Sequence, residues 1–455
     1  MVMKKLLKIV RWCTGAILLL IFVSAFALAI LFRDSLGRRF IEFPNQAEAW
    51  QNLQAQRIEP TLVTEWTEFR GCLHSHSLLS HDSEVPFEEV LAAAKEADID
   101  FLFMSDHCAM GMGDFSRGWK GDHDGVLFVR GFEMSGGYMP WGLPDDTIVD
   151  CNAEPLPLAE EIVSRGGVLF YAHSEEERPW DSPYYTGMEI YNIHTDFKDE
   201  SYGGMLPDLV LSLGKYPDQA MRLLFDPQED ILAHWDTLNQ TRRVVGISAN
   251  DAHQNNGIRA TYTDRDTLLV RTTGTDIIGD YPLNGIKKLG LRLLFGRLEP
   301  GRQLFRFDLD RYQRSLRFVN THLLAKELTE SSLVDALKSG RAFIAFDMIA
   351  DARGFVFLAK TDGAQSVMGE SMPYSDGTIF HAESPLPVKF RLVRNGEKIA
   401  EQEGRRFEYA ISEEGVYRME AYVDILGDWT PWVYTNPIYI QSVSPAMPPY
   451  PASPA

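Results

Sequence analysis

Short apolar runs alternate with amphipathic stretches between residues 66 and 259. Runs such as GVLFYAH and GVLFVRGFE consist largely of Val, Leu and Phe, which is typical of strands buried on both faces of a parallel sheet. Between such runs, PFEEVLAAAKEA begins with a proline and has helical periodicity, and LPLAEEIVSRGG ends at glycines. Alternating strands and helices predict a β/α barrel with its chemistry at the strand ends.

Beyond residue 341 the hydrophobic period changes. Residues 327–341, ELTESSLVDALKSGR, have the pattern of a helix that ends near a glycine. The segments that follow, such as AFIAFDM, GFVFLAK and GVYRMEAYV, alternate apolar and polar residues and are separated by turn residues. This pattern predicts a β-sandwich-like domain over residues 342–442. Residues 443–455 are proline-rich and are predicted to be a disordered tail.

The amino terminus predicts a membrane anchor. From Trp12 to Phe32 the chain carries no charge, and about 20 apolar residues suffice for a helix to cross a bilayer. The preceding basic residues are Lys4, Lys5, Lys8 and Arg11. They favour a cytoplasmic amino terminus and a folded part in the periplasm or outside the cell. We therefore expect an anchor over residues 1–33, a linker over 34–65 and a metal-dependent hydrolase domain over 66–341.

A cleaved signal peptide is the alternative for this segment. Ala25-Phe26-Ala27 fits the small-residue rule for cleavage. The apolar run is longer than the ~7–15 residues typical of a signal sequence, which favours a retained anchor. Both alternatives place the folded part across the membrane.

Charge and cysteine usage restrict the function classes. A formal net charge of −20 and a sequence pI near 5.0 argue against nucleic-acid binding, which requires a basic surface. An anionic substrate must therefore be attracted by local groups. Of the four cysteines, Cys13 lies in the apolar segment, and the remaining three are Cys72, Cys108 and Cys151. This odd count predicts buried thiols and no disulfide framework.

Histidines and carboxylates recur at the downstream ends of the apolar runs. The histidines are His74, His76, His107, His173, His194 and His253, and the carboxylates at equivalent places are Asp82, Glu133 and Asp251. Because side chains alternate across a strand, His74 and His76 point to the same side. Imidazole and carboxylate ligands together suit zinc, manganese or iron. The pattern predicts a metal site built from several strands.

The order of these motifs resembles the polymerase and histidinol phosphatase (PHP) superfamily. HSHSLLSHDS, SDH, GFE, AHS, MEIYN and DAH follow one another over residues 69–259. The resemblance implies a distorted seven-stranded β/α barrel that holds two or three divalent ions and hydrolyses phosphoesters. It implies as ligands His74, His76, Asp82, His107, Glu133, His173, His194, Asp251 and His253. Glu133 would bridge two ions, and Glu133, Asp251 and His194 would form the catalytic centre.

Two positions leave alternatives within this resemblance. The histidine that follows the Glu-Ile strand varies in position among similar proteins, so Glu189 or Asn192 could contribute in place of His194. Asp82 stands where members with three metal ions often have histidine, so the number of ions stays open between two and three.

Other polar residues have less specific signals. Arg178 and Arg259 follow two of the ligand histidines on loops and are predicted to bind a substrate phosphate. Asp106 could orient a ligand or cap its loop, and Cys72 could act as a thiolate ligand. His81 and His123 fall near the strand ends. His234, His322 and His381 are predicted to be ordinary surface or helix histidines.

Residues 285–302, GIKKLGLRLLFGRLEPGR, alternate basic residues with leucines. Such a pattern is typical of an amphipathic helix that lies on a membrane. It is equally typical of a packing helix with a basic, solvated face, and the sequence leaves both interpretations open.

The sequence therefore predicts a membrane-anchored, metal-dependent phosphoesterase. The expected substrate is a phosphorylated small molecule or a lipid-linked phosphate, and nucleic acid is not expected. One alternative is an amidohydrolase-like enzyme that cleaves C–N or C–O bonds; the pairing of Asp251 with His253 and the presence of Glu133 argue against it. The other is a surface binding protein with a degenerate barrel, against which the complete set of ligands argues.

Overall fold

The computed structural model describes residues 2–199 and 202–441, and only the backbone at residues 2–11, 13, 17, 21, 25, 197–199 and 202–206. The chain divides into two compact units. One comprises Met1–Gln51 and Glu200–Leu224, and the other comprises Asn52–Asp199 and Phe225–Ala455. The predicted disordered tail, 443–455, lies outside the described residues.

Helices occur in both units. They are α1 Val2–Leu31, α2 Arg33–Gly37, α3 Phe43–Gln54, α4 Phe87–Glu96, α5 Pro155–Ser164, α6 Ile193–Asp199, α7 Tyr202–Ser212, α8 Pro217–Met221, α9 Glu229–Asn239, α10 Gly285–Phe295, α11 Tyr312–Phe318 and α12 Glu330–Ser339. A π-helical turn, Arg38–Glu42, lies between α2 and α3.

The strands lie in the second unit. They are β1 Thr67–Ser75, β2 Phe101–Phe103, β3 Asp106–His107, β4 Met112–Asp114, β5 Gly121–His123, β6 Val126–Val129, β7 Phe132–Glu133, β8 Tyr138–Trp141, β9 Ile148–Asp150, β10 Val168–Tyr171, β11 Gly187–Asn192, β12 Val245–Ala252, β13 Gly257–Tyr262, β14 Thr267–Thr272, β15 Ile277–Pro282, β16 Gln303–Asp308, β17 Asn320–Ala325, β18 Ala342–Ala345, β19 Val356–Thr361, β20 Ala364–Val367, β21 Ser371–Pro373, β22 Ile379–Arg394, β23 Glu397–Ala410, β24 Gly415–Ile425, β25 Asp428–Thr435 and β26 Ile438–Gln441.

The apolar amino terminus forms α1. Within the described residues, Thr14–Leu31 is the one segment long and apolar enough to cross a membrane by length and composition. Its 18 residues give a helix of about 27 Å at ~1.5 Å per residue, close to the thickness of a bilayer core. A signal sequence meets the same criteria, so α1 is a candidate for either.

The segment predicted as a linker is helical up to Gln54. In the first unit, Arg38 forms an ion pair with the buried carboxylate of Asp208 at 2.6 Å. Arg39 donates a hydrogen bond to the carbonyl of Leu211, and the ring of the fully buried Phe43 packs against Tyr216. These contacts hold the residues after α1 against α7 and the segment that follows it.

A parallel sheet forms the core of the second unit. Its strands pair in the order β6, β2, β1, β12, β11 and β10, with β5 antiparallel to β6 and β8 antiparallel to β10. Phe101, Phe103, Trp141 and Phe170 lie in one core cluster with residues of the strands and of α12, and they have almost no solvent exposure. The prediction of a mixed α/β protein with a large sheet is confirmed. The closed seven-stranded barrel stays a prediction.

The helices that the periodicity predicted are present as α4, α5 and α12. In α12 the Thr329 hydroxyl accepts a hydrogen bond from the backbone N–H of Ser332, which caps the amino terminus. At its carboxyl end, Gly340 has a φ of 73°, a left-handed conformation that glycine adopts without steric cost. Local capping chemistry therefore sets both ends of this helix.

Residues 257–308 include a sheet that the sequence pattern did not predict, while the helix expected within residues 285–302 is present as α10. Strands β15, β14, β13 and β16 pair in that order into a separate antiparallel sheet, and α10 connects β15 with β16. The strands are partly exposed on both faces, so their sequences lack the clear apolar alternation of a half-buried sheet.

Residues 342–441 form strands that pair mostly antiparallel, although β21 and β26 pair in parallel. Strand β18 pairs with β17 on one side and with β25 on the other, so the sheet continues across the predicted boundary at residue 341. Arg418 on β24 is buried and binds both carboxylate oxygens of Asp236 in α9, at 2.7 and 2.8 Å. The β-sandwich arrangement of this region stays a prediction.

His322 is not the surface or helix histidine that the sequence predicted. It lies in β17 with no solvent exposure, and its ring nitrogens contact Glu68 at 2.6 Å and Asp347 at 2.7 Å. Burial alone would lower the pKa of His322, but the two carboxylates, Asp347 first, outweigh burial and raise the pKa to about 9.

This shift predicts a pH dependence of stability. Because the pKa of His322 is about 9 in the folded protein and ~6.5 in an unfolded chain, protonated His322 stabilises the fold fully below pH ~6.5. That contribution, on the order of 3 kcal/mol, is lost as the pH rises through the folded pKa. Thermal unfolding of wild type and His322→Gln at pH 6 and pH 9.5 measures it. An equal loss in both proteins over this window would contradict the prediction.

Candidate metal centre

The end of β1 brings two imidazoles together. His74 and His76 are fully buried, and their ring centroids lie 5.1 Å apart. The Nε2 atoms of His74 and His76 lie 3.1 and 3.3 Å from Oδ1 of Asp251. His74 has a φ of 69°, a backbone conformation that costs energy in a residue other than glycine and that is concentrated at functional sites.

Glu133 faces two sets of histidines. Strands β3 and β7 pair in parallel with His107 opposite Glu133, which places the Glu133 carboxylate beside the end of β1. Its Oε2 lies 3.3 Å from Nε2 of His74, and its Oε1 lies 3.3 Å from Nε2 of His173. One carboxylate oxygen therefore faces each side of the cluster.

Asp251 has the same two-sided placement at the end of β12. Its Oδ1 approaches His74 and His76, and its Oδ2 lies 3.3 Å from Nδ1 of His194 and 3.7 Å from Nε2 of His173. Asp251 also has a positive φ, 44°. The backbone is strained at the residue that contacts most of the cluster.

A second group of side chains surrounds Asp82. Oδ2 of Asp82 lies 3.2 Å from Nε2 of His253 and 3.6 Å from Nε2 of His107. The rings of His76 and His253 stack with centroids 3.8 Å apart. His76 therefore lies between the Asp82 group and the Asp251 group.

Two sets of four residues could each hold a metal ion. They are His74, His76, Glu133 and Asp251, and His76, Asp82, His107 and His253. Within each set the candidate ligand atoms lie within 4.8 Å of one another. Ligand atoms bonded to one ion at about 2.1 Å lie roughly 3–3.5 Å apart, and most of the separations above fall in or near that range.

Several buried nitrogen and oxygen atoms in these two sets lack a hydrogen-bond partner, which also fits a metal site. Nε2 of His76, Nε2 of His253, Oδ1 of Asp82 and Oδ1 of Asp251 are buried and make no hydrogen bond to any described residue. A buried polar atom without a partner is energetically costly. A divalent cation would satisfy these atoms, so the donor set fits the metal ions that the sequence predicted.

Hydrogen bonds orient three of the imidazoles. Nδ1 of His74 lies 2.6 Å from Glu189, Nδ1 of His76 lies 3.0 Å from the Ser80 hydroxyl, and Nδ1 of His253 lies 2.9 Å from the Asp251 carbonyl. Each contact favours a proton on Nδ1 and leaves the Nε2 lone pair directed at the cluster, which is the arrangement that metal ligation requires.

Asp106 is linked to the predicted ligand His76 through Ser80 and fixes the loop after β1. It is buried and accepts hydrogen bonds from the Ser77 backbone N–H at 2.5 Å and from the Ser80 hydroxyl at 3.1 Å. Ser80 in turn contacts His76 and accepts a hydrogen bond from the backbone N–H of His107. Ser80 was not among the predicted site residues, and its position four residues after His76 is the only signal for it in the sequence.

The pKa shifts of Asp251 and His76 fit the role of metal ligands. Burial alone would raise the pKa of Asp251, but the surrounding histidines, His74 first, hold that pKa well below its usual range. Burial and then His253 lower the pKa of His76 to about 3. A carboxylate that stays ionised and an imidazole that stays neutral are the protonation states that a metal ligand needs.

His173 and His194 lie on the other side of Glu133. Their ring centroids are 5.7 Å apart. Glu189 is one of the two residues predicted as alternatives to His194. Its Oε2 accepts hydrogen bonds from the His173 backbone N–H and from the Asn192 side-chain amide, each at 2.8 Å. Glu175, which the sequence analysis missed, has a carboxylate 3.6 Å from Nδ1 of His173.

The two predicted phosphate-binding arginines have partners of their own. Arg178 donates hydrogen bonds to the Ala172 carbonyl and to Glu176. Arg259 binds Glu84 through both terminal nitrogens, at 2.6 and 2.7 Å. Their role in substrate binding stays a prediction.

Three further residues considered for the site, His81, His123 and Cys72, lie in different surroundings. His81 lies next to the cluster, with its ring centroid 4.9 Å from that of His107. His123 stacks on Trp119 at 4.1 Å and belongs to an aromatic group around Phe87. The thiol of Cys72 is buried and hydrogen-bonded to Leu316 and Asn320, and burial raises its pKa, so the suggested thiolate role is not supported.

The cysteine prediction was wrong. Cys108 and Cys151 form a disulfide, and Cys72 alone of the three residues after the apolar segment is a free thiol. An odd count does not exclude one bridge. The disulfide joins the residue after His107 to the end of β9 and so restrains the chain that carries this ligand.

No protein-family model and no curated protein sequence match this chain. One solved structure aligned with it is a two-domain protein containing a predicted PHP-like metal-dependent phosphoesterase, from Bacteroides vulgatus ATCC 8482. The two chains are 13% identical, the TM-score is 0.36, and the alignment covers 84% of this chain and 98% of the other. A likeness this distant supports neither a detailed fold nor a function.

Proposed function

We propose that this protein is a metal-dependent phosphoesterase whose cluster holds two or three divalent cations. The observation that carries the proposal is the pair of four-residue groups that share His76. Glu133 and Asp251 add to it because each presents one oxygen to one set of imidazoles and the other oxygen to another set. Such two-sided carboxylates are what closely spaced cations require.

When bound, divalent cations would make hydroxide available near neutral pH and neutralise charge on phosphoryl oxygens. In this arrangement Glu133 and Asp251 would be among the ligands that hold the cations. Glu189 would keep His74 and His173 in position by accepting their N–H groups, and Ser80 would do the same for His76. The protein's contribution is to hold these donors rigidly and largely shielded from solvent.

Donor chemistry limits the metals. The proposed ligands are imidazole nitrogens and carboxylate oxygens, with no thiolate, which suits zinc, manganese or iron. Two ions fit the two groups of four. A third ion would use Glu133, His173, His194 and Asp251, whose contacts of 3.3–3.7 Å are similar to those within the other groups.

The substrate proposed is a phosphorylated small molecule or a lipid-linked phosphate. The acidic chain, with a net charge of −20, would repel an anionic substrate at long range, so the cations would have to supply the attraction. For Arg178 or Arg259 to bind a phosphate, the phosphate would have to displace a carboxylate partner.

We further propose that the folded part lies outside the cytoplasm, with α1 as a retained anchor. The basic residues before the apolar segment support this orientation. The Cys108–Cys151 disulfide is independent support, because such bonds persist mainly in oxidising compartments.

A reporter fused after Ala455 should be active outside the cytoplasm and inactive within it. Activity inside the cytoplasm would contradict this orientation.

The proposed activity is tested by metal analysis together with a substrate panel. Protein purified without chelator should contain roughly two or three transition-metal ions per chain and should hydrolyse phosphomonoesters or phosphodiesters. Chelation should abolish the hydrolysis and lower the melting temperature, because ions bound only by the folded protein stabilise it. A protein that neither contains nor takes up zinc, manganese or iron would overturn the proposal.

A further inference from the structure

Helix α10 presents a stripe of large apolar side chains to solvent. The exposed fractions are 83% for Ile286, 58% for Leu289, 80% for Leu293 and 77% for Leu294. Ile286, Leu289 and Leu293 are spaced i, i+3 and i+7, so they lie on one face of the helix. A contiguous apolar face of this kind on a folded protein marks a contact surface.

The exposed face is not the result of a poorly defined helix. The Asn284 side chain caps the amino terminus by accepting a hydrogen bond from the Lys287 backbone N–H, and Gly296 ends the helix with a φ of 78°. On the opposite side, Lys288 forms an ion pair with Asp266 at 3.0 Å. The helix is therefore held in place with its apolar stripe outward.

The neighbouring strand also exposes apolar side chains. Strand β15 is an edge of the separate four-stranded sheet, and the exposed fractions on it are 65% for Ile277, 49% for Ile278 and 50% for Tyr281. The Lys287 ammonium donates a hydrogen bond to the Pro282 carbonyl at the end of β15, which ties the start of α10 to that edge.

Basic side chains accompany the apolar ones. Five of the residues from 285 to 302 are basic and one is acidic, in a chain whose net charge is −20. The basic residues are Lys287, Lys288, Arg292, Arg297 and Arg302. A local excess of basic residues beside an exposed apolar stripe is the combination by which interfacial helices bind anionic lipids.

We propose that α10 and the edge strand β15 form a membrane-docking surface that binds an anionic phospholipid bilayer. The apolar stripe would enter the headgroup region while the basic side chains contact lipid phosphates. The candidate membrane span in α1 supports a bilayer as the occupant, since a chain with a retained anchor stays at a membrane. A second copy of the chain is disfavoured, because a symmetric interface would place the same basic residues against each other.

The experiment uses the full chain with an environment-sensitive fluorophore on Leu293→Cys. Cys13 is changed to serine; Cys72 is buried and the other two cysteines are paired, so labelling is specific. The matched control carries the fluorophore on Leu426→Cys, because Leu426 is a leucine with a similar exposed fraction, 64%, in a hairpin of the carboxyl-terminal strands. Both proteins are reconstituted into vesicles of phosphatidylcholine with phosphatidylglycerol, with or without acyl-chain spin labels.

Spin-labelled lipid should quench the probe at position 293 more strongly than the probe at position 426, by a factor of at least about three, since an interfacial helix lies at the acyl boundary. Pure phosphatidylcholine, or charge reversal at Lys287, Arg292 and Arg297, should reduce this quenching. Equal quenching of the two probes would overturn the proposal. A signal at 293 that rises with protein concentration and is independent of lipid would overturn it in favour of self-association. Neither outcome depends on hydrolysis, so the test is separate from the proposed activity.

Discussion

Replacing Glu133 with glutamine is expected to remove hydrolysis while leaving the fold in place. The two carboxylate oxygens lie 3.3 Å from Nε2 of His74 and 3.3 Å from Nε2 of His173. The amide removes one negative charge and turns an N–H₂ group toward one of these nitrogens, so one of the two proposed contacts with a cation is lost. We expect hydrolysis to fall by at least about 10²–10³-fold, the usual scale for loss of one electrostatic group at a reaction centre.

The fold should tolerate this change because the backbone of Glu133 is held independently of its side chain. Its N–H donates to the Ser105 carbonyl at 3.1 Å, and β7 pairs with β3 through backbone groups. Glu177→Gln is the matched control, since Glu177 is exposed on the loop after His173 and its replacement makes the same change in net charge.

Steady-state hydrolysis and thermal unfolding of the three proteins measure the effect. If Glu133→Gln hydrolyses the substrate at the wild-type rate and its melting temperature is unchanged, Glu133 is not part of the proposed catalytic centre. A wild-type protein that binds metal and cleaves an amide in a Glu133-dependent manner, but no phosphoester, would favour the amidohydrolase-like alternative.

The sequence predicted which residues would come together, because the carboxyl ends of parallel strands meet at one edge of a sheet. Histidines at the ends of β1, β10 and β12 therefore converge although the chain separates them widely. The clustering of the nine predicted ligands is present in the structure. Their roles as ligands and as catalytic groups are proposals.

The residues that hydrogen-bond to these histidines were harder to predict from the sequence. Glu189 lies in the middle of β11, 115 residues from His74 along the chain, and nothing local marks it as the partner of that imidazole. Ser80 could be noticed only through its position after His76. Hydrogen bonds between residues distant in sequence depend on strand order, and a pattern of apolar runs does not specify strand order.

The errors have a common physical origin. His322 was predicted from its sequence neighbours, but its partners Glu68 and Asp347 reach it from other segments of the chain. The Cys108–Cys151 bridge depends on how two loops approach each other, which a count of cysteines does not contain. The sheet formed by β13–β16 was missed because its strands are half-exposed on both faces and lack a strong period.

Asp251→Asn and Asp82→Asn are expected to affect metal content unequally. Asp251 is central, since its oxygens lie 3.1 Å from His74, 3.3 Å from His76 and 3.3 Å from His194, and its side chain is almost fully buried. Asp82 is partly exposed and contacts His107 and His253.

If the three proposed groups each hold an ion, Asp251→Asn should lose about two ions, because Asp251 belongs to two of the groups; it should also hydrolyse at least ~10³-fold more slowly and melt well below wild type. Asp82→Asn should lose about one ion and retain the ions bound near Glu133. Each substitution replaces one buried or half-buried carboxylate with an amide of the same shape, so each serves as the control for the other. Metal content per chain, measured by mass spectrometry beside thermal unfolding, separates them. Loss of all ions from both variants would show that Asp82 and Asp251 serve one indivisible site, because separate ions bound by different carboxylates can be removed separately.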